Sequence, residues 1–484
     1  MDSLRWSSLL AHWSAGRGPM YVRLGAALQG CISGGHLAPG EQLPSERRLA
    51  ELIQVSRSTV VAAYEELAAG GWISRRQGSG THVGVAAPRL AEVLALRSPV
   101  RGSPVSGSPV RPALQSEGEF DLTIAVPGLG PVQQERLKRA SASQGVKAFS
   151  ESLYHPLGLP DLRATLAEMY ARQGLPTRAE QIVVTTGAQQ AISVIAGAVL
   201  RRGDAVLLET PTYFGAIDVF RAAGARLLGG AVGPDGMQPT AFQAQLGAGP
   251  RLAFLTPTFQ NPTGGVMPAH ARARLARMIA GAQLPTIEDD TPIDLGFGED
   301  SPPPRLAALE PRAPIVCVGS LSKLFWAGLR VGWMRLPDAL AAPIIQSKTL
   351  ADFGSAMPSQ LIALELLREL PILRAERRAS VLPARDLLVT LLREHLPDWT
   401  YQVPAGGQFL WAQLPTRNAA GFTHLARRYG VRLFPGASMD VTDLPDSFLR
   451  LPFTLPVQYL PEAVARLKLA WISFQERGTA ERLA

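Results

Sequence analysis

Lysine is rare in this 484-residue sequence, in which five lysines stand among 48 Lys and Arg residues. One of the five, Lys323, lies between apolar runs in VGSLSKLFWAGLRVGW, with Ser320 before it and Arg330 after it. An amine in an apolar setting can lose its charge and attack a carbonyl carbon to form a Schiff base. Taken alone, Lys323 is more simply interpreted as a solvated surface lysine.

A second segment, TTGAQQAI, has the pattern of a strand, a turn and a helix start. The backbone N–H groups of Gly187, Ala188 and Gln189 would then lie at a helix N-terminus, where phosphate binds readily. This pattern predicts a phosphate site.

Further along the chain, four side chains follow apparent strand ends, where ligands bind in open α/β sheets. Tyr213 in ETPTYFG can stack on a flat ring, Asn261 lies in the turn NPTGG, and Asp289 ends the apolar run of IEDD. Arg450 in FLRLPFT suits a carboxylate. Each alone is more simply a turn or surface residue. With Lys323 the set meets the needs of pyridoxal phosphate (PLP): an amine, a carboxylate at the pyridine nitrogen, phosphate donors and a stacking partner.

Alternating apolar runs and helical stretches over 119–484 predict an α/β fold with a mainly parallel sheet. Short, nearly continuous apolar runs suit strands that are buried on both faces. Beyond about residue 370 the pattern changes, and we expect a smaller C-terminal α+β subdomain. The predicted strands are QIVVTT (181–186), DAVLLE (204–209), RLAFLT (251–256), LPTIED (284–289) and APIVCVG (313–319).

The N-terminal residues 1–85 have the pattern of a small helical module that ends in a hairpin. Ser45 and Ser56 are suited to cap two short helices joined by a tight turn, which is a helix-turn-helix. WISRRQGSGTHV then predicts two short strands around a glycine-containing turn. The residues predicted to face the core are Leu49, Leu52, Ile53, Val60, Ala63, Tyr64 and Leu67.

The ordered segments LPSERRLAE, SRSTVVAAYEEL and RRQGSGTHV resemble the winged helix of GntR-type transcription regulators over nearly all of 19–83. The resemblance implies binding to a double-stranded DNA operator. Arg57 is expected to contact a base, and Arg47 a base or the backbone. The residues to which the resemblance assigns DNA contacts are Arg47, Ser56, Arg57, Ser58 and Gly78.

The order of the C-terminal motifs resembles fold-type I PLP enzymes of the aspartate aminotransferase superfamily, across about 120–480. The resemblance implies that Lys323 forms the Schiff base and that Asp289 pairs with the pyridine nitrogen. Arg450 would hold an α-carboxylate, and Tyr154, in YHPLGLPDLRATLA, would reach the phosphate of a neighbouring subunit. The remaining implied contacts are Asn261 to the ring hydroxyl, Tyr213 to the ring face, and Gly187, Ala188, Gln189, Ser320 and Arg330 to the phosphate.

One segment departs from the superfamily pattern, which usually has a tyrosine two or three residues after the pyridine aspartate. Here Thr291 and Pro292 occupy those positions. The hydroxyl of the usual tyrosine helps to tune the Schiff base, so efficient transamination is in doubt. PLP binding is expected to survive, because the other anchors of the cofactor remain.

Composition excludes several classes of protein. With 46% hydrophobic and 18% charged residues the chain is expected to be globular. No apolar run reaches the roughly 18–20 residues that span a bilayer, and the N-terminus lacks signal-peptide features. Cys31 and Cys317 make no disulfide framework, so we expect a cytoplasmic protein without membrane partner or metal. The net charge of +8 permits nucleic-acid binding, but 1–85 carries eight arginines against six acidic residues, so the DNA prediction depends on pattern.

The segment RSPVRGSPVSGSPVRPALQSEGE repeats a Ser-Pro-Val unit and predicts a semi-extended linker over 86–118. An irregular loop inside one domain is the alternative. The predicted division is therefore a winged helix-turn-helix at 1–85, the linker, and an aminotransferase-like domain at 119–484.

This fusion resembles the MocR-type regulators, a family whose large domain senses PLP or PLP with an amino compound. The resemblance implies a homodimer, often with DNA-binding heads that cross to the partner. The first hypothesis is a PLP-binding transcription regulator. The alternatives are an active aminotransferase acting on an amino acid, and a DNA-binding regulator whose large domain only dimerises.

Overall fold

The structure is a computed structural model with two compact units, residues 1–99 and 100–484. The predicted linker over 86–118 lies outside the residues that the structure describes, so the three-part division stays a prediction. The described residues are Trp6, Leu9, Leu10, Trp13, 20–33, 36–37, 40–69, 72–76, 80–83, 119–126, 128–150, 154–298, 303–442 and 444–483.

The N-terminal unit has the predicted helix-turn-helix. Ser45 caps one helix by accepting the N–H of Arg48, and Ser56 Oγ accepts the N–H of Thr59 at 3.2 Å. Both serine caps are confirmed. The described helices of this unit are Met20–Ser33, Glu46–Ile53 and Arg57–Ala69.

A single apolar core holds these helices together. Leu49, Val60, Ala63, Tyr64 and Leu67 are buried as predicted, whereas Leu52 and Ile53 are half-buried at its edge. The strands that follow pair antiparallel and confirm the predicted hairpin. The strands of the chain, numbered in order, are β1 Ile73–Arg76, β2 Gly80–Val83, β3 Phe120–Asp121, β4 Ile182–Thr185, β5 Ala205–Thr210, β6 Arg226–Gly233, β7 Gly236–Met237, β8 Leu252–Leu255, β9 Thr286–Asp289, β10 Ile315–Ser320, β11 Gly332–Arg335, β12 Thr400–Tyr401, β13 Phe409–Gln413, β14 Val431–Arg432, β15 Phe434–Pro435 and β16 Phe448–Pro452.

An eight-stranded sheet in the order β4-β11-β10-β9-β8-β5-β6-β7 forms the centre of the larger unit. The pairs from β10 through β6 are parallel, while β11 runs antiparallel to both β10 and β4. The mainly parallel sheet is therefore confirmed. Its five predicted strands correspond to β4, β5, β8, β9 and β10, all of which are fully buried.

The sequence pattern missed β6 and β11, whose glycines interrupt the apolar runs. A Cβ at Gly229 in β6 would lie 2.1 Å from Cγ2 of Thr442, so close packing requires glycine there. The carboxyl ends of β4, β5, β8, β9 and β10 meet at one edge of the sheet, where the motifs of Gly187, Tyr213, Asn261, Asp289 and Lys323 lie, whereas Arg450 lies in β16. Helices flank the sheet: Pro131–Ser150, Pro160–Arg172, Ala188–Val199, Phe214–Ala222, Pro239–Leu246, Ala269–Ala282, Leu306–Leu309, Asp338–Ala351 and Met357–Arg368.

A separate four-stranded antiparallel sheet, in the order β12-β13-β16-β15, confirms the predicted C-terminal α+β subdomain. β3 joins this subdomain by pairing in parallel with β14. Within the described part of the chain, no helix combines the length and apolarity of a membrane span. The helices of the subdomain are Leu370–His395, Ala419–Arg428 and Leu460–Leu483.

Candidate functional site

Asp289 and Lys323 lie beyond adjacent strands at the carboxyl edge of the central sheet. β9 ends at Asp289, which stands in register with Val318 of β10, and Lys323 follows the end of β10 by three residues. Asp289 is buried, and its Oδ1 accepts the N–H of Thr291 at 2.9 Å. Burial raises the pKa of Asp289 to about 6, against the hydrogen bonds from Thr291 and the positive charge of Lys323.

The amine of Lys323 is half-buried and donates to the carbonyl oxygen of Ala125 at 2.9 Å. Burial and the positive charge of Arg450 lower the pKa of Lys323 to about 8, against the negative charge of Asp289. The neutral, nucleophilic form is therefore accessible near neutral pH. These neighbours place Lys323, Asp289 and Arg450 in one electrostatic environment.

The turn between β4 and the helix Ala188–Val199 is shaped by Gly187, with φ 132° and ψ 171°. That backbone conformation belongs almost exclusively to glycine. A Cβ at Gly187 would lie 3.0 Å from Nη2 of Arg330, and one at Gly332 would lie 2.7 Å from Cα of Gly187. The first N–H groups of a helix have no partner within it, so together with the guanidinium they could hold a phosphate; we name this turn and Arg330 the cradle.

Ser320 lies beside this cradle because it is in register with Gly332, which is in register with Thr185. Its hydroxyl donates to the carbonyl oxygen of Val331 at 3.1 Å and accepts the N–H of Ser322 at 3.1 Å. The side chain thus already shapes the turn that leads to Lys323.

Tyr213 immediately precedes the helix Phe214–Ala222 beyond β5, and its hydroxyl joins it to the cradle by a hydrogen bond. Its hydroxyl donates to Oε1 of Gln189 at 3.0 Å, and Nε2 of Gln189 donates to the carbonyl oxygen of Gly215 at 3.0 Å. Burial and the negative charge of Asp289 raise the pKa of Tyr213 to about 12. Tyr213 is therefore a neutral phenol held over the same edge as Asp289.

Asn261 lies in a turn beyond β8, and its buried Oδ1 has no hydrogen-bond partner among the described residues. Gln260, next to it, donates through Nε2 to the carbonyl oxygen of Pro211 at 2.8 Å and to Glu209 at 3.2 Å. These contacts, which the sequence pattern did not reveal, hold the Asn261 turn against the segment that carries Tyr213.

The guanidinium of Arg450 is buried between three aromatic rings. Its Cζ lies 4.5 Å from the ring centroid of Phe409, 4.7 Å from that of Phe434 and 5.6 Å from that of Phe214. Nη2 donates to the carbonyl oxygen of Thr123 at 2.6 Å, and Nε has no partner among the described residues. Burial lowers the pKa of Arg450 to about 10.

Tyr154 lies on the surface, with 82% of its side chain exposed. Its ring centroid is 6.0 Å from that of Phe353, which is also exposed, as is Leu350 nearby in sequence. The structure brings Tyr154 to none of the cradle residues of its own chain that it describes, and its predicted contact to a neighbouring subunit stays a prediction.

The N-terminal unit has three of its predicted DNA contacts, Ser56, Arg57 and Ser58, at the start of Arg57–Ala69, while Arg47 lies in the preceding helix Glu46–Ile53. Arg57 is 70% exposed, and its Nη2 lies 3.5 Å from Oε2 of Glu46. Arg47 is exposed beside Glu51, and Ser56 Oγ lies 2.9 Å from Oγ of Ser58. Gly78 lies outside the described residues.

Two family models match the chain. The model of bacterial regulatory proteins of the gntR family matches residues 20–83, and that of aminotransferase class I and II matches 131–467. The probable rhizopine catabolism regulatory protein MocR of Rhizobium meliloti is 29% identical, with 79% of this chain and 78% of that protein covered.

The chain is a MocR-type transcription regulator of the GntR family.

The aminotransferase-like unit of this MocR-type regulator has enzyme relatives as well. The 2-aminoadipate transaminase of Thermus thermophilus is 36% identical, over 74% of this chain and 90% of that enzyme. The crystal structure of LysN, an α-aminoadipate aminotransferase of the same organism complexed with N-(5'-phosphopyridoxyl)-L-leucine, is 30% identical. It superposes with a TM-score of 0.71 and covers 80% of this chain and 99% of that one. Membership of the aminotransferase family implies PLP dependence, and the GntR unit implies DNA binding.

The residues of the MocR-type regulator fit PLP. Gly187 leaves the cradle open towards Arg330, which suits a phosphate. The unpartnered Oδ1 of Asn261 and Nε of Arg450 are buried polar atoms that a polar ligand would satisfy. The carboxyl of Asp289 and the amine of Lys323 complete a donor set that matches the pyridine nitrogen and the aldehyde of this cofactor.

Proposed function

We propose that this regulator binds PLP through a Schiff base at Lys323 and changes transcription in response to PLP or to PLP combined with an amino compound. The observation that carries the proposal is the lowered pKa of Lys323 beside the buried carboxyl of Asp289, in a chain that also has a DNA-binding unit. When bound, PLP supplies an aldehyde and an electron-withdrawing ring.

Each residue of the site has a distinct task in this proposal. Lys323 holds the cofactor covalently, and Asp289, ionised above pH 6, keeps the pyridine nitrogen protonated. Tyr213 stacks on the ring and Asn261 bonds its hydroxyl. Arg450 holds the carboxylate of an amino compound, while the phosphate lies on Gly187, Ala188, Gln189, Ser320 and Arg330.

A homodimer is part of the proposal. Tyr154, Leu350 and Phe353 form an exposed apolar group, which a second copy of the chain would cover. Tyr154 would then reach the phosphate of the partner, and DNA-binding heads that cross to the partner would be carried on the linker.

Absorbance tests the cofactor site. Full-length protein incubated with PLP and dialysed should show the visible band of the bound cofactor, and Lys323→Ala should not. Lys348→Ala is no suitable control, because Lys348 is buried and paired with Asp352. Exposed Lys138, paired with Glu135, supplies the control Lys138→Ala, which should keep the band. A wild-type protein that stays colourless would contradict the proposal.

An active aminotransferase is the second candidate. Lys323, Asp289 and Arg450 are all present, and one relative is named a transaminase. Thr291 and Pro292 stand where the superfamily usually has a tyrosine, which counts against rapid turnover. Conversion of an amino acid to its keto acid over many cycles by purified protein would favour this candidate.

A further inference from the structure

Residues 120–126, which we name the strap, supply an acceptor to two cations of the site, Arg450 and Lys323. The carbonyl oxygen of Thr123 accepts from Nη2 of Arg450 at 2.6 Å, and that of Ala125 accepts from Nζ of Lys323 at 2.9 Å. Two residues of one segment therefore bond the two groups that the proposed function assigns to the ligand carboxylate and the PLP aldehyde.

The strap is fastened at its first half. Its strand β3 pairs in parallel with β14, and Nη1 of Arg432 donates to Oδ2 of Asp121 at 2.9 Å. The other carboxylate oxygen of Asp121 accepts the N–H of Thr123 at 2.9 Å and its hydroxyl. Asp121 thus bends the strap so that the carbonyl group of Thr123 faces Arg450.

We propose that the strap competes with the ligand for Arg450 and Lys323, so that ligand binding displaces it. The inference rests on the proposed PLP site. A carboxylate that takes the unpartnered Nε of Arg450 together with Nη2 meets the group that now donates to Thr123, and a buried guanidinium bonds a carboxylate more strongly than a neutral carbonyl oxygen. The competition at Arg450 therefore favours the ligand.

Attachment of PLP removes the second contact. The nitrogen of neutral Lys323 forms a double bond to the aldehyde carbon, and the aldehyde oxygen leaves as water with the two amine hydrogens. The condensation leaves the Lys323 nitrogen with no N–H, or with one when the Schiff base is protonated, and the planar double bond then fixes its direction, so the bond to the carbonyl oxygen of Ala125 is lost or redirected. Occupation of both positions releases residues 123 and 125 together.

Displacement of the strap has a consequence for regulation, because residue 119 directly follows the predicted linker 86–118 in the sequence. Because β3 fastens residues 120 and 121, release of residues 123 and 125 changes the chain just beyond this anchor, four and six residues after residue 119. The strap thus connects ligand binding to the stretch of chain next to the predicted linker.

The experiment weakens the strap without touching the site. In full-length protein, Asp121→Asn removes the ion pair with Arg432, and Thr123→Val removes the hydroxyl bond to Asp121. The control Glu119→Gln alters an ion pair of 3.9 Å with Arg427, just outside the strap. Calorimetry measures the affinity of each protein for N-(5'-phosphopyridoxyl)-L-leucine, which carries both a phosphate and a carboxylate, and for PLP.

Competition predicts tighter binding in the weakened variants. Asp121→Asn and Thr123→Val should bind the phosphopyridoxyl-leucine about threefold to tenfold more tightly than wild type, the change expected from the loss of one hydrogen bond. Glu119→Gln should match wild type. In wild type, the same probe should accelerate amide exchange in residues 122–126.

A change of affinity in the opposite direction overturns the inference. If folded Asp121→Asn and Thr123→Val bind the probe as tightly as wild type or more weakly, the strap only lines the site and does not compete with the ligand, while the proposal of PLP binding stands. If wild type binds neither probe, the proposed function itself fails. Unchanged exchange in 122–126 on saturation with the probe also overturns displacement.

Discussion

Gly187 lies directly against the guanidinium of Arg330: a Cβ at Gly187 would stand 3.0 Å from Nη2 of that arginine. The two residues come from different loops, one after β4 and one before β11. Arg330 itself has a φ of 55°, in the left-handed region. Their contact places a cation at the N-terminus of the helix Ala188–Val199, which is the arrangement that a phosphate requires.

Gly187→Ala is expected to lower PLP affinity by displacing Arg330. Gly203→Ala is the matched control, because Gly203 also has a positive φ, of 92°, but a Cβ there would have open space. Both variants should lose about 1–3 kcal/mol of folding stability from the backbone alone. Fluorescence titration with PLP should show weaker binding in Gly187→Ala only, and equal affinity in both variants would count against the cradle.

PLP capture is expected to accelerate with pH because the pKa of Lys323 is about 8 and the neutral amine reacts. The rate of capture should rise about tenfold per pH unit below that pKa and level off above it. Stopped-flow absorbance measures the rate.

Two variants test the cause of this pKa by shifting it in opposite directions. Asp289→Asn removes a charge that raises the pKa of Lys323, so the midpoint should move to lower pH. Arg450→Met removes a charge that lowers it, so the midpoint should move to higher pH. Midpoints that stay at the wild-type pH in both variants would show that these charges do not act on Lys323.

Glu209→Gln is expected to reduce the loss of folding stability that accompanies a rise in pH. Burial raises the pKa of Glu209 to about 7, and its Oε1 has no hydrogen-bond partner among the described residues. In the unfolded chain the carboxyl of Glu209 ionises near pH 4.5, whereas in the folded chain it keeps its proton up to about pH 7. The stability that this group contributes is therefore fully present below pH 4.5 and is lost as the pH rises through 7. The loss is up to roughly 3 kcal/mol.

Calorimetric melting temperatures between pH 5 and pH 8 measure this effect. The control Glu168→Gln alters an exposed carboxylate paired with Arg172, and it should keep the wild-type fall. A fall in Glu209→Gln as steep as that of wild type would mean that Glu209 stays ionised in the folded protein.

Arg57→Ala is expected to weaken operator binding by about 1–3 kcal/mol if the side chain reads a base. The operator can be isolated from a random duplex pool by the full-length protein. Arg48→Ala is the control, since Arg48 is also exposed and also lies 3.5 Å from a glutamate, but it is on the preceding helix and is assigned no DNA contact. Gel-shift titration should show that Arg57→Ala loses operator affinity and that the size of this loss changes when one base pair of the operator is changed. Equal losses of affinity in both variants would assign Arg57 to non-specific contacts.

Much of the fold followed from local pattern. The serine caps, the winged hairpin and the strands that end at Asp289 and Ser320 were predicted because capping and burial on both faces leave short-range signals in sequence. β6 was not predicted, because its Gly229 is explained only by close packing against Thr442, which is more than two hundred residues away in the sequence. No local pattern encodes such a contact.

The candidate site divides in the same way. Lys323, Asp289, Tyr213 and Gly187 carry their chemistry in side chains or backbone turns, so residue type and order could point to them, and their roles towards PLP stay predictions. Glu209 and Gln260 could not be assigned, because their task is to join two turns that are distant in sequence.

The sequence by itself determined which reactive groups this regulator has, that they follow strand ends, and that a DNA-binding module precedes them. Only the tertiary structure decided that Arg450 is enclosed by three rings, that the pKa of Lys323 is lowered to about 8, and that residues 123 and 125 bond both cations. The physical reason is that burial, charge and backbone acceptors act through space. A carbonyl oxygen is the same in every residue, and only its position in the folded chain selects its partner.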